Sequence, residues 1–446
     1  MKRLSLKMTG LVLIAALLAA TSVWAQGNRP EPLALDDELR SAIVDSVLSA
    51  VDEIYVFPEV AAEMGALVRK NLEKGKYDEY SNVADFAGRL TEDFQSISHD
   101  LHLHVDWQPP RPQREGQELS DEEMQARYMA RNRENNFGFR EVKLLPGNVA
   151  YIKLDQFAGA SEGGPTAIAA MNFVGYADAI IFDLRENGGG SPSMIQLLTS
   201  YLVDESTHLN DFYIRQSGET DQFWTHAWVP GPRMPEAEVY VLTSRYTFSA
   251  AEEFTYNLKN MERATIVGQT TGGGAHPVNR HEFPALQLSM SLPFGRAINP
   301  ITGTNWEGAG IEPHLVVPVE TALDVAYLDA LKKQEKAADE EHKVALEWII
   351  KGLDVQANPI LMTEAELEPF TGQYGPRKVW IEDGGLWYQR GENAKFQMTP
   401  MGEGRFLFKD LDYFRIEFEQ AGESPATNLI GHYRGGRMDQ NSRSGS

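Results

Sequence analysis

The feature that most constrains the fold is an alternation of short buried strands with amphipathic helices through the middle of the chain. Apolar runs at 177–184, 239–243 and 264–268 are typical of strands that are buried on both faces of a sheet. Helical patterns follow the first two runs, at 192–203 and 249–261. Because strand–turn–helix units in series form parallel sheets, these residues predict an α/β core.

The segments on either side of this core have different periodicities. From 35 to 95, apolar residues recur three and four positions apart, which predicts three short amphipathic helices. From 364 to 433, apolar and polar residues alternate, and Asp383-Gly384-Gly385 has the composition of a hairpin turn. We therefore expect an N-terminal helical domain and a small C-terminal antiparallel β domain. Eight aromatic residues are expected to form the core of that β domain: Trp380, Trp387, Tyr388, Phe406, Phe408, Tyr413, Phe414 and Phe418.

The predicted organisation follows from these changes in pattern. A helical stretch over 321–351 is expected to leave the α/β core, and the polar residues after Arg437 predict a disordered end. In chain order, the prediction is a signal peptide at 1–25, a helical domain at 35–107, a linker at 108–136, an α/β core at 137–330, a helical connector at 331–361, a β domain at 362–437 and a disordered tail at 438–446.

The composition excludes several classes of function. Asp and Glu total 64 against 41 Lys and Arg, which gives a net charge of −23. A chain this acidic has no general attraction for nucleic acid or for anionic membranes. The chain has 0 cysteines, so disulfide scaffolds, thiolate zinc sites and cysteine nucleophiles are excluded.

The N-terminus has the pattern of a signal peptide. Lys2, Arg3 and Lys7 precede an apolar run at 11–20, and Val23-Trp24-Ala25 resembles a cleavage site. The apolar run is too short to span a bilayer, although an uncleaved anchor is the alternative interpretation. We therefore expect an exported protein, periplasmic or secreted, with no stable membrane insertion after cleavage.

Two strand-to-helix turns carry the candidate chemistry. The first runs from Asp183 to Gly190, and its glycines leave amide N–H groups exposed at a helix N-terminus, where they can hold an anion. The second runs from Thr243 to Glu253 and contains Ser249 at the start of a helix. Ser249 with Glu252 is consistent with an ordinary N-cap and capping box. The functional alternative is a nucleophile beside a helix dipole.

Several motifs in order resemble the tail-specific (C-terminal processing) protease clan. The chain is most similar to the branch of bacterial homologues of the interphotoreceptor retinoid-binding protein, with tricorn protease more distant. The resemblance covers about residues 35–330 and implies a crotonase-like ββα core and a serine-type peptidase that needs no cofactor. The motifs that carry it are Ser98-His99-Asp100-Leu101-His102-Leu103, the two turns above, 270–277, 299–307 and Gly310-Ile311-Glu312-Pro313.

The resemblance implies a role for individual residues. Ser249 matches the nucleophile, and the amides of Gly189 and Ala250 would form the oxyanion hole. The chain has no lysine between Lys259 and Lys332, so a Ser-Lys dyad is excluded. The tricorn-like alternative uses a histidine and a glutamate, which match His102 and Glu307.

The histidine assignment leaves alternatives open. His99 competes with His102 as the base, and a solvated histidine in a His-rich turn is the simplest interpretation of His102. His276 would line the cleft or cap a turn. Spacing at His99, His102 and His104 is weak evidence for a metal, and we predict no metal site.

The partner expected from this assignment is a peptide or protein substrate. The region between Trp107 and Phe137 is too short for the peptide-tethering PDZ domain of tail-specific proteases. The alternative function is a non-catalytic binder of hydrophobic small molecules or peptides on the same fold, because the vertebrate relatives carry retinoids and fatty acids.

Overall fold

The computed structural model describes residues 31–109, 120–422 and 424–444. The predicted signal peptide lies outside the described residues, as do residues 110–119 of the predicted linker. Within the described ranges, no helix combines the length and the apolar character needed to cross a membrane.

The N-terminal region contains three helices at the positions that its periodicity predicts. Part of the predicted linker, over 121–134, is also helical. The helices of the described chain are α1 Asp37–Ile54, α2 Pro58–Glu73, α3 Val83–Ser98, α4 Asp121–Glu134, α5 Ala160–Val174, α6 Pro192–Thr199, α7 Ala250–Asn260, α8 Ala322–Ala337, α9 Glu340–Ala357 and α10 Glu364–Leu367.

The strands include the predicted core strands and several that the sequence analysis missed. In chain order they are β1 His104–Trp107, β2 Phe139–Leu145, β3 Val149–Leu154, β4 Ala179–Asp183, β5 His208–Ile214, β6 Thr220–Trp224, β7 Glu238–Thr243, β8 Thr265–Gly268, β9 Val278–Phe283, β10 Leu288–Pro293, β11 Gly295–Ile298, β12 Leu315–Val316, β13 Gly372–Tyr374, β14 Arg377–Glu382, β15 Gly385–Arg390, β16 Phe396–Gly402, β17 Arg405–Phe408, β18 Leu411–Glu419, β19 Asn428–Tyr433 and β20 Met438–Ser442.

The chain forms two compact units, and the first combines the N-terminal helices with two later segments. Residues 208–223 and 273–310 join residues 31–109 and 120–129 in this unit, whereas the sequence pattern predicts both segments as part of the α/β core. Helices α1–α3 bury their apolar faces in one cluster with β1 and β10. Strand β10 is the centre of a sheet in the order β1–β10–β9, with Val105 opposite Met290. Periodicity did not show this sheet because its strands are short and β1 lies far in sequence from its partner β10.

The second unit contains the predicted α/β core. Its sheet has the strand order β12–β8–β7–β4–β3–β2, in which only β2 pairs antiparallel. Strand β4 is buried along its whole length, as its apolar sequence predicted. Helices α5, α6 and α7 connect successive strands, so the carboxyl ends of β4 and β7 meet at one edge of the sheet. The predicted fold class is confirmed.

The prediction that the helical stretch after 321 leaves the core is wrong for α8. Ala322, Ala326 and Ala330 are fully buried and recur every four residues, which gives the helix a narrow small-residue face. This face packs on the sheet in one cluster with residues of β3, β4, β7 and β8. The predicted boundary at 330 therefore falls inside a core helix, and the stretch breaks into two helices where Asp339 caps α9.

The C-terminal β domain is an eight-stranded antiparallel sheet in sequential order. The predicted hairpin is confirmed: Trp380 pairs with Trp387, and Asp383 and Gly384 form the turn with φ of 51° and 74°. Of the eight aromatic residues, Trp380 and Trp387 are half-buried and Tyr413 is exposed, while the others are buried in the domain's core.

The prediction of a disordered tail at 438–446 is wrong for β20. This strand pairs with β19 from His432 opposite Met438 to Asn428 opposite Ser442. Its Asp439 accepts hydrogen bonds at 2.6 and 2.8 Å from the guanidinium of Arg377, which is completely buried. A polar strand escaped prediction because its contribution is one ion pair and a ladder of backbone hydrogen bonds rather than apolar burial.

Candidate active site

Ser249 lies in the turn between β7 and α7, half-buried, with a strained backbone. Its φ is 54° and its ψ is −122°. A positive φ is uncommon for a residue with a Cβ, and this ψ lies outside the left-handed helical region where such residues are usually found. Strain of this kind costs on the order of 1–3 kcal/mol and is concentrated at functional sites.

The other side-chain caps of this chain show what an ordinary N-cap would look like. Their backbones are extended, as is typical of N-caps. Among the described residues, the φ and ψ values are −104° and 180° at Asp36, −144° and 160° at Asn82, −98° and 131° at Ser191, −70° and 170° at Asp339, and −74° and 159° at Thr363. Ser249 departs from all of them, so helix capping alone does not explain its conformation.

A buried carboxylate holds this turn in place. Oε2 of Glu252 accepts a hydrogen bond from the Ser249 amide at 2.8 Å, and Oε1 accepts one from the hydroxyl of Thr271 at 2.5 Å. The Thr271 oxygen in turn accepts the amide of Ile311 at 2.7 Å. Glu252 is fully buried, so this chain of bonds fixes the Ser249 backbone from inside the fold.

The glycine-rich turn after β4 lies against Ser249. A Cβ on Gly189 would lie 2.8 Å from the Ser249 Cβ and 3.0 Å from the Ala250 nitrogen, so only glycine fits here, with a φ of 110°. The Gly189 amide donates to Oδ1 of Asn187 at 2.8 Å. It is therefore not the free oxyanion donor that the resemblance implied. Ala250 opens α7, and its amide has no acceptor within its own helix.

In the first unit, a sharp turn after α3 buries Asp100 and His102. His99 ends the helix in the left-handed conformation, with φ of 55°. Asp100 is fully buried and His102 is 8% exposed. The Asp100 carboxylate accepts the His102 amide at 3.0 Å, which fixes the turn that carries the histidine. His102 is thus a buried histidine rather than a solvated one.

Glu307 joins these residues from the later loop. Its Oε2 accepts the amides of Ala275 at 2.5 Å and His276 at 3.2 Å. Its Oε1 is buried and has no hydrogen-bond partner among the described residues. One carboxylate oxygen of Asp100, one ring nitrogen of His102 and one carboxylate oxygen of Glu307 lie within 4.8 Å of one another. The structure therefore brings together the two residues that the resemblance paired, His102 and Glu307.

His276 is part of the same cluster rather than a simple turn cap. Its Nδ1 lies 2.6 Å from Oδ2 of Asp100 and 3.5 Å from Oε2 of Glu307. The ring is 4% exposed and packs edge-on against Phe57. His99 is exposed at the end of α3, so it lies outside this buried cluster.

Burial dominates the electrostatics of the cluster. It raises the pKa of Glu307 to about 7, with the charge of Asp100 as a second cause, while His276 and two amide hydrogen bonds oppose the shift. Burial also lowers the pKa of His102 to about 4, against the pull of Asp100. Burial raises the pKa of Tyr55, whose hydroxyl lies 3.4 Å from Asp100. His102 is therefore neutral near pH 7.

Asp100, His102 and Glu307 are the described residues that could hold a cation, although the sequence predicts no metal site. His104 instead places Nδ1 2.9 Å from the His102 carbonyl and Nε2 3.2 Å from Asp106.

Sequence reasoning gave no role to Asp100 or to Thr271. Asp100 is part of the motif Ser98–Leu103, and its position two residues before His102 is the spacing at which a side chain accepts a backbone amide. The bond from Thr271 to Glu252 had no sequence signal, because nineteen positions separate the two residues.

The family comparisons agree with the predicted resemblance. Residues 148–317 match peptidase family S41, and residues 33–139 match the N-terminal domain of that family in eukaryotic IRBP. Over these residues the chain is similar to peptidases of family S41 and to the N-terminal domain found with them. A segment of 134 residues is 29% identical to the tail-specific protease of Haemophilus influenzae, covering 29% of this chain and 18% of that protein. The match therefore spans less than a fifth of that curated relative.

The solved structures to which this chain is similar include three that cover more than half of it. Mature CPAF is 12% identical with a TM-score of 0.48, over 67% of this chain and 97% of that one. The photosystem II D1 C-terminal processing protease is 14% identical with a TM-score of 0.36, over 63% and 94%. Tricorn protease is 13% identical with a TM-score of 0.40, over 71% and 37%.

Proposed function

We propose that this protein is an exported serine-type peptidase in which Ser249 is the nucleophile, and that it acts without a metal, an organic cofactor or a PDZ domain. The observation that carries the proposal is the strained backbone of Ser249, which the ordinary caps of the same chain do not share. A sharp, strained strand-to-helix turn is the geometry that exposes a nucleophilic hydroxyl. The S41 match over 148–317 supports the same chemistry.

The proposed first step transfers one proton and forms one bond. The Ser249 oxygen attacks the carbonyl carbon of the scissile peptide bond while His102 accepts the hydroxyl proton. The carbonyl electron pair moves to oxygen, and the Ala250 amide at the N-terminus of α7 stabilises that charge. Collapse breaks the C–N bond, and His102 returns the proton to the leaving amine. Water then hydrolyses the acyl-enzyme by the same route.

Glu307 has the properties of the group that supports the imidazolium. Its Oε1 accepts no hydrogen bond from the described residues, and its carboxylate lies in the cluster that contains His102. As a carboxylate it would stabilise the positive charge that His102 gains in the first step. Because the pKa of Glu307 is about 7, this support increases as the pH rises through neutrality.

The experiment that tests the proposal compares the protein with its Ser249→Ala variant on a diverse peptide mixture, with new termini identified by mass spectrometry. New termini are expected from the unmutated protein alone, with turnover lost by on the order of a hundredfold or more in the variant. Thr363→Ala is the matched control, because it removes an ordinary cap from α10 and should leave cleavage intact. Equal cleavage by the Ser249→Ala variant overturns the assignment.

Absence of cleavage calls for a chemical readout of the same serine. A fluorophosphonate should label Ser249 and fail to label the Ser249→Ala variant. If neither cleavage nor labelling occurs, the peptidase proposal fails. The hydrophobic-ligand binder then becomes the better hypothesis, to be tested with a fluorescent fatty acid.

If Ser249 and His102 act together, their substitutions should reduce turnover non-additively. Catalytic groups that act as a unit are strongly non-additive, so the double variant Ser249→Ala/His102→Ala should be no slower than either single variant. Additive losses in turnover would show that His102 acts independently of Ser249. The single variant His99→Ala should retain the turnover of the unmutated protein, because His99 is exposed and lies outside the buried cluster.

The proposed export is tested by the mature N-terminus. The full chain produced in a bacterial host should be recovered outside the cytoplasm with an intact mass that begins at Gln26. A cytoplasmic product that begins at Met1 contradicts this part of the proposal without affecting the peptidase assignment.

A further inference from the structure

A cleft of about 460 Å³ in the first unit contains an exposed arginine that forms no ion pair with the described residues. Phe57 and Val60 contribute apolar surface to it, and His276 and Glu307 connect it to the buried cluster. Arg296 of β11 also lines the cleft. The Arg296 guanidinium has no carboxylate within ion-pair distance in the described part of the chain, although acidic residues outnumber basic ones by 64 to 41.

Two aromatic rings orient this guanidinium. Its central carbon lies 5.3 Å from the ring centre of Tyr213 and 5.9 Å from that of Phe57. Tyr213 is the cross-strand partner of Arg296 on β5, so the backbone pairing itself sets the first contact. Stacked guanidinium groups lose less freedom when they bind, because the planar fork is already oriented. Arg296 is therefore prepared for a ligand rather than neutralised by the fold.

We propose that Arg296 binds a carboxylate of the peptide substrate and gives the enzyme a preference for acidic residues close to the cleaved bond. This inference rests on the proposed peptidase function, which it deepens by naming the substrate class. A planar guanidinium recognises a carboxylate with two parallel hydrogen bonds, a geometry that lysine cannot provide. The cleft also contains the exposed Glu59, which would repel an acidic residue, so the preference is assigned to the part of the cleft near Arg296.

The test uses pools of random decapeptides with acetylated N-termini and amidated C-termini. One pool has Glu at a fixed central position and the other has Gln there. Cleavage of the Glu pool should be about tenfold faster in kcat/KM, which is at the lower end for a charge-assisted hydrogen bond because Arg296 is exposed. Arg296→Gln should abolish the difference, and Arg296→Lys should retain only part of it.

A third pool separates the two sources of a carboxylate. It has Gln at the fixed position and a free C-terminal carboxylate, so faster cleavage of this pool alone would assign Arg296 to the substrate terminus. Arg280→Gln is the matched control, because Arg280 is an exposed arginine of the same unit that lies 3.5 Å from Glu282. The preference should also decrease with added salt, since ion pairs at exposed sites are screened.

A binding measurement keeps this inference distinct from the peptidase assignment. If the unmutated protein cleaves no pool, the proposed function fails, and retention of the pools on immobilised Ser249→Ala protein decides about Arg296. Stronger retention of the Glu pool, lost with Arg296→Gln, supports the carboxylate site. Equal retention, or a preference that survives Arg296→Gln, overturns it.

Discussion

The carboxylate of Glu252 accepts the amide hydrogen of Ser249 at 2.8 Å from a fully buried position. This bond has the form of half a capping box, yet the residue that it holds is not in a capping conformation. Because the same carboxylate also accepts the Thr271 hydroxyl, its two oxygens fix the turn to the interior. Glu252 is therefore a positioning residue for the proposed nucleophile.

Replacing Glu252 by glutamine should slow catalysis more than it affects binding. The glutamine amide has one acceptor oxygen where the carboxylate has two, so in either orientation it cannot accept both the Ser249 amide and the Thr271 hydroxyl as they are now directed. We expect kcat to fall about tenfold with little change in KM, and the free energy of unfolding to fall by about 1–3 kcal/mol. The rate of fluorophosphonate labelling of Ser249 should decrease in parallel.

The matched control is Glu366→Gln in the capping box of α10. Glu366 accepts the Thr363 amide at 2.7 Å, the same bond in an exposed and unstrained setting. We expect a change below about 0.5 kcal/mol and unaltered turnover. Equal effects of the two substitutions would show that Glu252 is an ordinary cap residue.

Replacement by alanine should impair activity and stability at Gly189 but not at the neighbouring Gly188. A Cβ at Gly189 would collide with Ser249 and with the Phe248 carbonyl at 2.9 Å, whereas a Cβ at Gly188 has no atom within 4 Å. Gly189→Ala should therefore reduce kcat/KM by about a hundredfold and lower the melting temperature. Gly188→Ala should leave both near their original values. Similar activity of the two variants would dissociate this turn from catalysis.

Burial should make Glu307 and His102 respond to pH in opposite directions. The pKa of Glu307 rises from its ordinary 4.5 to about 7, so the folded protein keeps a proton that the unfolded chain loses, and stability falls as the pH rises through this window. The pKa of His102 falls from 6.5 to about 4, so stability rises with pH across that window. Between about 4.5 and 6.5 the two contributions cancel.

Single variants should reveal each contribution. Relative to the unmutated protein, Glu307→Gln should gain stability with rising pH from 4.5 to 6.5, and His102→Gln should lose it, by at most about 1.4 kcal/mol per pH unit. Urea unfolding at several pH values measures both slopes as differences, which removes the titration of other groups. Parallel slopes for the two variants would contradict the burial of one of these residues.

The sequence predicted what depends on local pattern. Apolar runs showed β4 and β7 because these strands are buried along their length, and Asp383-Gly384 showed the hairpin because only certain residues tolerate its turn. It did not predict the pairing of β1 with β10, nor the inclusion of 273–310 in the first unit. Such long-range pairing leaves no periodicity in either partner.

The candidate site was also predicted only in part from the sequence. The nearness of Glu307 to His102 was expected from family resemblance, whereas the bond between His276 and Asp100 was not. The strain at Ser249 is likewise invisible in sequence, since a serine before a helix is usually a cap with an extended backbone.

The last described strand should be necessary for stability. Arg377 is completely buried, and its Nε and Nη1 have no hydrogen-bond partner, so Asp439 supplies its only ion pair in the described chain. Asp439→Ala would leave a buried charge uncompensated, at a cost of about 3–5 kcal/mol. Chemical denaturation measures this loss. Glu392→Ala, at an exposed position of the turn before β16, is the control and should have little effect.

At Ser249, the side chain that supplies the proposed nucleophile also lowers the stability of the folded protein. Glycine tolerates the observed φ of 54° without the penalty of a side chain, so a Ser249→Gly protein should unfold at a higher temperature while it loses its nucleophile. Laboratory evolution for heat resistance alone would therefore favour inactive protein at this position. The proposed nucleophile therefore lies at a position where the backbone conformation alone would favour glycine.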